Sequence, residues 1–287
     1  MRSAMMGRDY GLTDARILKN KGIGIFDSGV GGLTVLREIR NLLPQENVFY
    51  LGDTARVPYG NRSRDTIVKY SIQNTRFLIG VGIKLLVVAC NTSSSVAIHA
   101  LRSKFPDLPI IGVIEPGSEQ AGGTTRTRRV GVVGTRATIA SGSYRSALHR
   151  FDRGIKVFQQ ACPLFVPLVE EGMHRTQFAH DIAQHYLANL KKHDIDTLIL
   201  GCTHYPLLSP VIQRAVGSRV KLINSGEAVA VKTRAYLSRL DLLKTKGKGS
   251  IHFFVTDAPV QFKKIGKLLL MHDIANSIHK VVLGDYE

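Results

Sequence analysis

Cysteine is scarce in this chain: Cys90, Cys162 and Cys202 are the three among 287 residues. They are too few and too scattered for a disulfide framework. None belongs to a CxxC pair, so neither structural zinc nor any other metal is expected. In a reducing compartment all three would be free thiols. Acidic residues are also in deficit, 22 against 39 Lys and Arg, which leaves a formal net charge of +17. No apolar run is long enough to span a bilayer, so no membrane partner is expected. Residues 1–21 carry Arg2, Arg8, Asp9, Asp14, Arg16 and Lys19 where a signal peptide would have its apolar stretch. They read as an N-terminal extension to a cytoplasmic protein.

Apolar content of 44 % is ample for a core, and 287 residues accommodate two domains. Basic clusters occur at Arg126, Arg128 and Arg129, at Lys244, Lys246 and Lys248, and at Lys263, Lys264 and Lys267. They read first as a solvated face. The charge leaves a nucleic acid or another acidic partner open, but no nucleic-acid motif accompanies it.

Strand-like runs alternate with helical stretches from Gly22 onward, which means βαβ units and parallel sheets. The run 22–26 leads into Asp27-Ser28-Gly29-Val30-Gly31-Gly32 and a helix over 33–43. This glycine-rich turn has no Walker A lysine and lacks dinucleotide spacing, but Asp27 places a carboxylate at a strand end. Further strands are expected at 47–51, 84–89 and 109–114, the last closed by Glu115-Pro116-Gly117, with single helices over 65–81 and 93–105. A polar basic stretch at 122–129 marks a crossover, after which the pattern restarts at Val130. Residues 162–172 read as a proline-interrupted loop, in which Cys162 has no strand-to-helix setting and a packing role. Residues 244–250 read as a flexible basic linker, and the tail beyond it as returning to the first domain.

The expected fold is α/β, with two pseudo-symmetric domains of mainly parallel sheets flanked by helices. One domain would comprise 22–117 plus 227–287 and the other 118–226, with the active site in the cleft between them. Ligands in such sheets bind outside the carboxyl ends of the strands.

The same short design occurs twice at those ends. A strand ends at Ala89-Cys90-Asn91-Thr92, and another at Gly201-Cys202-Thr203-His204-Tyr205. A thiol at a strand-to-helix junction faces free N–H groups and the positive end of a helix, which favours thiolate and predicts a lowered pKa. Two matching thiols suggest two facing bases. Removing the α-proton of an amino acid without an electron sink needs such a pair in a dry site, one thiolate taking the proton and one thiol returning a proton on the opposite face. No convincing motif for pyridoxal phosphate is present, and no cofactor is expected.

Taken with Asp27-Ser28-Gly29-Val30-Gly31-Gly32, residues 53–60, Gly112-Val113-Ile114-Glu115-Pro116-Gly117 and residues 162–172, these motifs resemble the glutamate racemases of the aspartate/glutamate racemase family. The resemblance runs from about Gly22 to the end of the chain. It implies a cofactor-independent enzyme that makes D-glutamate for peptidoglycan synthesis, and a homodimer is expected. Cys90 and Cys202 match the two catalytic bases. Asp27, Ser28, Tyr59, Gly60, Asn91, Thr92, Thr203 and His204 match substrate-binding positions. Asp27, Glu170 and His204 match supporting proton-handling groups, and Thr135 and Thr138 are further carboxylate contacts. Asn224 departs from the pattern, standing where the family often has Asp.

The near alternative is an aspartate racemase, although those enzymes tend to have Glu after the second Cys-Thr, where this chain has His204-Tyr205. A DNA- or gyrase-binding regulator is the alternative of a different class, raised by the net charge. A catalytically dead scaffold is disfavoured by the presence of both cysteines with their neighbours.

Overall fold

The computed structural model describes residues 17–270 and 278–284. Two wholly parallel sheets organise them. The first contains β1 (Gly22–Asp27), β2 (Val48–Gly52), β3 (Ile83–Val88), β4 (Ile110–Gly112), β9 (Ile251–Val255) and β10 (Ile278–Lys280), in the order β10-β9-β2-β1-β3-β4. The second contains β5 (Arg129–Gly134), β6 (Lys156–Ala161), β7 (Thr197–Gly201) and β8 (Lys221–Ile223), in the order β6-β5-β7-β8. Helices cover the sheets, so the inner strands read as continuous apolar runs buried on both faces. In β1, Ile23, Ile25 and Phe26 are completely buried, each such burial stabilising the fold by about 1.5–3 kcal/mol.

The two sheets share one topology around the strand that opens each. The chain steps from β1 to β2 on one side, then crosses to β3 on the other; it repeats the step from β5 to β6 and the crossing to β7. Strand order therefore reverses between β1 and β3 and between β5 and β7, where the adjacent loops diverge and leave a crevice. Register sets Phe26 beside Val88 in the first sheet and Gly134 beside Gly201 in the second. The turn after β1 and the Cys90 junction thus share one crevice, while Thr135 and Cys202 share the other.

The tail returns to the first sheet, where β9 pairs with β2 from Val48↔Ile251 to Gly52↔Val255. The stretch before it is anchored rather than loose. Lys244 N–H donates to Glu46 Oε1 at 2.7 Å, and Gly249 N–H to the Pro44 carbonyl at 3.1 Å. Glu46 also forms a fully buried ion pair with Lys84 at 2.6 Å, and the Lys84 ammonium donates to the carbonyls of Lys19 and Leu242. Residues 1–16 of the expected extension lie outside the described residues, whereas Lys19 is tied to the body of the fold.

Three local expectations are corrected. The helix expected over 93–105 is two helices, Asn91–Val96 and Ile98–Lys104. Residues 165–170 are helical rather than loop, because Pro167 falls in the first turn, where a missing N–H costs nothing. Cys162 consequently does lie between a strand and a helix; it is buried, with its sulfur 3.7 Å from the Gln160 carbonyl. Likewise Glu115-Pro116-Gly117 opens the helix Ile114–Thr124 instead of closing a strand. The boundaries expected at 117/118 and 226/227 both fall inside helices, the second within Ser225–Arg239.

Candidate active site

Cys90 caps the start of the helix Asn91–Val96 and is 4 % exposed. Its sulfur lies 3.6 Å from Ser28 Oγ, in the turn after β1. Asp27 is fully buried at the end of β1, where one carboxylate oxygen accepts the Gly29 N–H at 3.0 Å. Burial raises the Asp27 pKa, against the opposing pull of His204, the N–H groups of Gly29 and Gly32, and the Thr203 hydroxyl. The lowered pKa expected for Cys90 is reversed. Burial, and then the negative charge of Asp27, push this thiol up to about 11, although hydrogen bonds from Ser93 and Ser28 act the other way. Desolvation here exceeds the benefit of a short helix.

Cys202 has different surroundings. It is 7 % exposed, and its sulfur lies 3.9 Å from His204 Nδ1. The other ring nitrogen, Nε2, is 3.1 Å from Glu170 Oε1. Burial opposes charge on this imidazole, but hydrogen bonding to Cys202 and Glu170 and their charges outweigh it and raise its pKa to about 10. At neutral pH His204 is therefore an imidazolium beside the second sulfur. One thiol has a carboxylate for its charged neighbour and the other a cation, an asymmetry that separates acid from base.

Each unit grips the residues that follow the other unit's cysteine. After Cys202, Thr203 Oγ1 donates to Asp27 Oδ1 at 3.3 Å. After Cys90, the Asn91 side-chain carbonyl accepts from Tyr144 Oη at 2.7 Å, and Thr92 Oγ1 lies 3.0 Å from Thr135 Oγ1 and 3.4 Å from Thr138 Oγ1. These contacts require close backbone approach. A Cβ on Gly60 would sit 2.7 Å from the Thr135 Cβ, so only glycine fits there.

The structure gathers Asp27, Ser28, Cys90, Asn91, Thr92, Thr203, His204 and Glu170 around the two crevices, with Thr135 and Thr138 at their junction. Tyr59 differs. Its ring is buried and its phenol is bonded to Asp53 Oδ2, while Asn74 Nδ2 donates to the phenol oxygen at 3.1 Å. Asp53 is further held by Arg56 Nε at 2.7 Å and Thr256 Oγ1 at 3.0 Å. Tyr59 therefore anchors its turn through the side chain and has only backbone to offer a ligand. Tyr144 builds the site without any signal in the sequence, whereas Asp53, which opens the motif at 53–60 just past the end of β2, carries no assigned role there. Asn224, the departure from the family pattern, caps the helix Ser225–Arg239 by accepting the Gly226 N–H at 3.1 Å. Among the described residues, no group of three or more His, Cys, Asp or Glu is placed to hold a metal ion, and no helix is long and apolar enough to cross a membrane.

A family model described as Asp/Glu/Hydantoin racemase matches residues 24–233. A glutamate racemase from Geobacter metallireducens is 50 % identical over 251 residues, covering 87 % of this chain and 93 % of that one. The crystal structure of a glutamate racemase isoform from Bacillus anthracis superposes with a TM-score of 0.89 at 39 % identity, over 92 % of this chain and 98 % of that one. That of glutamate racemase from Francisella tularensis, in complex with D-glutamate, gives 0.88 at 35 % identity, over 93 % and 100 %. With paired strand-end thiols, two matching parallel sheets and likeness over nearly its whole length, this chain belongs to the Asp/Glu/hydantoin racemase family.

Proposed function

We propose that the protein is a cofactor-independent glutamate racemase that works by two-base proton transfer between Cys90 and Cys202. The observation that carries this reading is the placement of two buried cysteines at equivalent strand ends of two matching sheets, with Asp27 and Thr203 bonded between them. In one direction the thiolate of one cysteine takes the α-proton, breaking Cα–H and leaving the electron pair on carbon. The thiol of the other delivers its proton to the opposite face. The sulfurs exchange protonation states, and a proton exchange through His204 or Asp27 resets them.

The surroundings supply what this chemistry needs. Exclusion of water makes a thiolate, once formed, a stronger base and strengthens every dipole aimed at the developing carbanion. The Thr92, Thr135 and Thr138 hydroxyls and the Asn91 and Thr203 side chains offer donors for two carboxylates, and Asp27 offers an acceptor for the ammonium group. His204 carries the one imidazolium beside a thiol, held protonated by Glu170, and so assists proton return at Cys202. Tyr59 and Gly60 contribute through backbone. The product would be D-glutamate for peptidoglycan synthesis, and the two halves act as jaws that close on the substrate. Glutamate is preferred over aspartate because His204-Tyr205 follows the second Cys-Thr and because the relatives described above are glutamate racemases.

Incubation of L-glutamate, and separately L-aspartate, in D₂O without added cofactor tests the proposal. The expected result is inversion of glutamate with deuterium gained at the α-carbon, abolished in Cys90→Ser and Cys202→Ser. Absence of exchange with glutamate overturns the reading.

A further inference from the structure

We propose that Thr34 is a positioning residue for the Cys202 base, acting across the cleft through the backbone of Thr203; the proposal rests on the two-thiol reading above. Thr34 lies in the first turn of the helix Leu33–Leu42 and is almost completely buried. Its hydroxyl is 2.9 Å from the Gly31 carbonyl, in its own turn, and 3.3 Å from the carbonyl of Thr203, 169 residues away. With one proton to donate, it is shared between a local acceptor and one adjoining the second thiol.

The Thr203 carbonyl needs that donor because of the local sequence. The residue three positions on, which would ordinarily close a turn on this carbonyl, is Pro206 and has no N–H. The neighbouring N–H groups are engaged elsewhere, Tyr205 on the Cys202 carbonyl and Leu207 on that of His204. The same helix start also abuts the Cys202 loop sterically. A Cβ on Gly31 would lie 2.5 Å from His204 Nδ1. Together Gly31 and Thr34 form a seat that receives Thr203 and His204 when the units meet. The seat fixes the backbone on which the second sulfur turns.

Thr34 touches neither thiol, so its removal should alter where Cys202 sits rather than delete a proton carrier. The two enantiomers have equal free energy, so kcat/KM is equal in both directions for every variant, and rates alone do not reveal which cysteine is affected. Primary isotope effects on kcat/KM do. With α-deuterated L- and D-glutamate, slowing the Cys202 step raises the effect for the enantiomer that gives its proton to Cys202. It lowers the effect for the other, whose carbanion now returns to its starting face more often.

The expected result for Thr34→Val is a loss of roughly tenfold in the common kcat/KM, with the two isotope effects moving in opposite directions and both restored in Thr34→Ser. Thr34→Ala is read by the same criteria should the valine variant not fold. The unaltered protein in the same assay tests the racemase reading by itself. Given an active parent, the positioning role is overturned if the variant stays within about twofold of the parent, if the two isotope effects hold still or move together, or if serine does not restore them.

Discussion

Glu170 Oε1 and the Cys202 sulfur lie on opposite sides of one imidazole, 3.1 Å from Nε2 of His204 and 3.9 Å from Nδ1 respectively. Carboxylate, imidazolium and sulfur thus form a line that brings positive charge to one thiol only. Replacing the carboxylate with an amide keeps the shape but weakens the hold on the ring proton. Glu170→Gln is expected to lower the His204 pKa from about 10 and to reduce kcat by roughly tenfold or more, within the span of general acid–base catalysis. Titration of the His204 ring by NMR and pH–rate profiles check this. An unchanged His204 pKa contradicts it.

The same imidazole makes stability depend on pH. Its folded pKa, about 10, stands above the ordinary 6.5, so the native state binds more protons than the unfolded chain between those values. The contribution is complete below pH 6.5 and is lost as pH rises through 10. Cys90, raised from 9 to about 11, adds a loss of the same sign over its own higher window. Urea midpoints should therefore fall steadily from neutral pH to pH 10, and His204→Asn should flatten the lower part of that slope.

On the proposed mechanism, removing either sulfur leaves one face of the α-carbon without a proton carrier. Cys90→Ser and Cys202→Ser should each lose racemisation by roughly 100- to 10,000-fold, with little loss of stability, because serine fills nearly the same space. Circular dichroism melts alongside polarimetry separate the two effects.

Gly60 meets Thr135 so closely that a single methyl is excluded. Gly60→Ala, whose Cβ would lie 2.7 Å from the Thr135 Cβ, should push apart the first crevice and the Thr135–Thr138 turn. A rise in KM for glutamate is expected, larger than for Gly80→Ala, where an added Cβ meets no atom within 4 Å.

Tyr144→Phe removes the donor to Asn91 Oδ1, a bond of 2.7 Å between buried groups. An unsatisfied buried acceptor costs about 1–3 kcal/mol. Thermal stability should drop accordingly, and glutamate binding with it, since Asn91 directly follows Cys90. Binding of glutamate by calorimetry is the check.

What could be read from the sequence followed from contrast along the chain. Apolar runs ending at Asp27, Cys90 and Cys202 mark strand ends because buried parallel strands need unbroken apolar residues, whereas their ends need polar ones. Matching junctions gave the paired thiols for the same reason. What was hidden depends on partners far apart in sequence. Nothing near Thr34 points to Thr203, nothing near Tyr144 points to Asn91, and nothing near Tyr59 shows that Asp53 takes its phenol and leaves its backbone to face a ligand. The direction of the Cys90 pKa was also misjudged, because a junction predicts helix-end stabilisation but not the burial and the Asp27 charge that exceed it. Prolines at 163 and 167 suggested a loop, yet Pro163 precedes the cap of the helix Phe165–Glu170 and Pro167 falls in its first turn, which tolerates it.

The residues that clasp the two units, Asn91, Thr92 and Thr203, each sit within two positions of Cys90 or Cys202, so on the proposed two-thiol mechanism any opening wide enough to pass an amino acid would also dismantle the machinery. The molecule would then behave as an airlock. Both sulfurs are buried in the closed arrangement, sealed from bulk oxidants and alkylating agents, and a sulfur that could be reached would be out of alignment. Its vulnerability to such reagents is therefore set by how often the jaws part, and an occupant that holds them shut shields both thiols together.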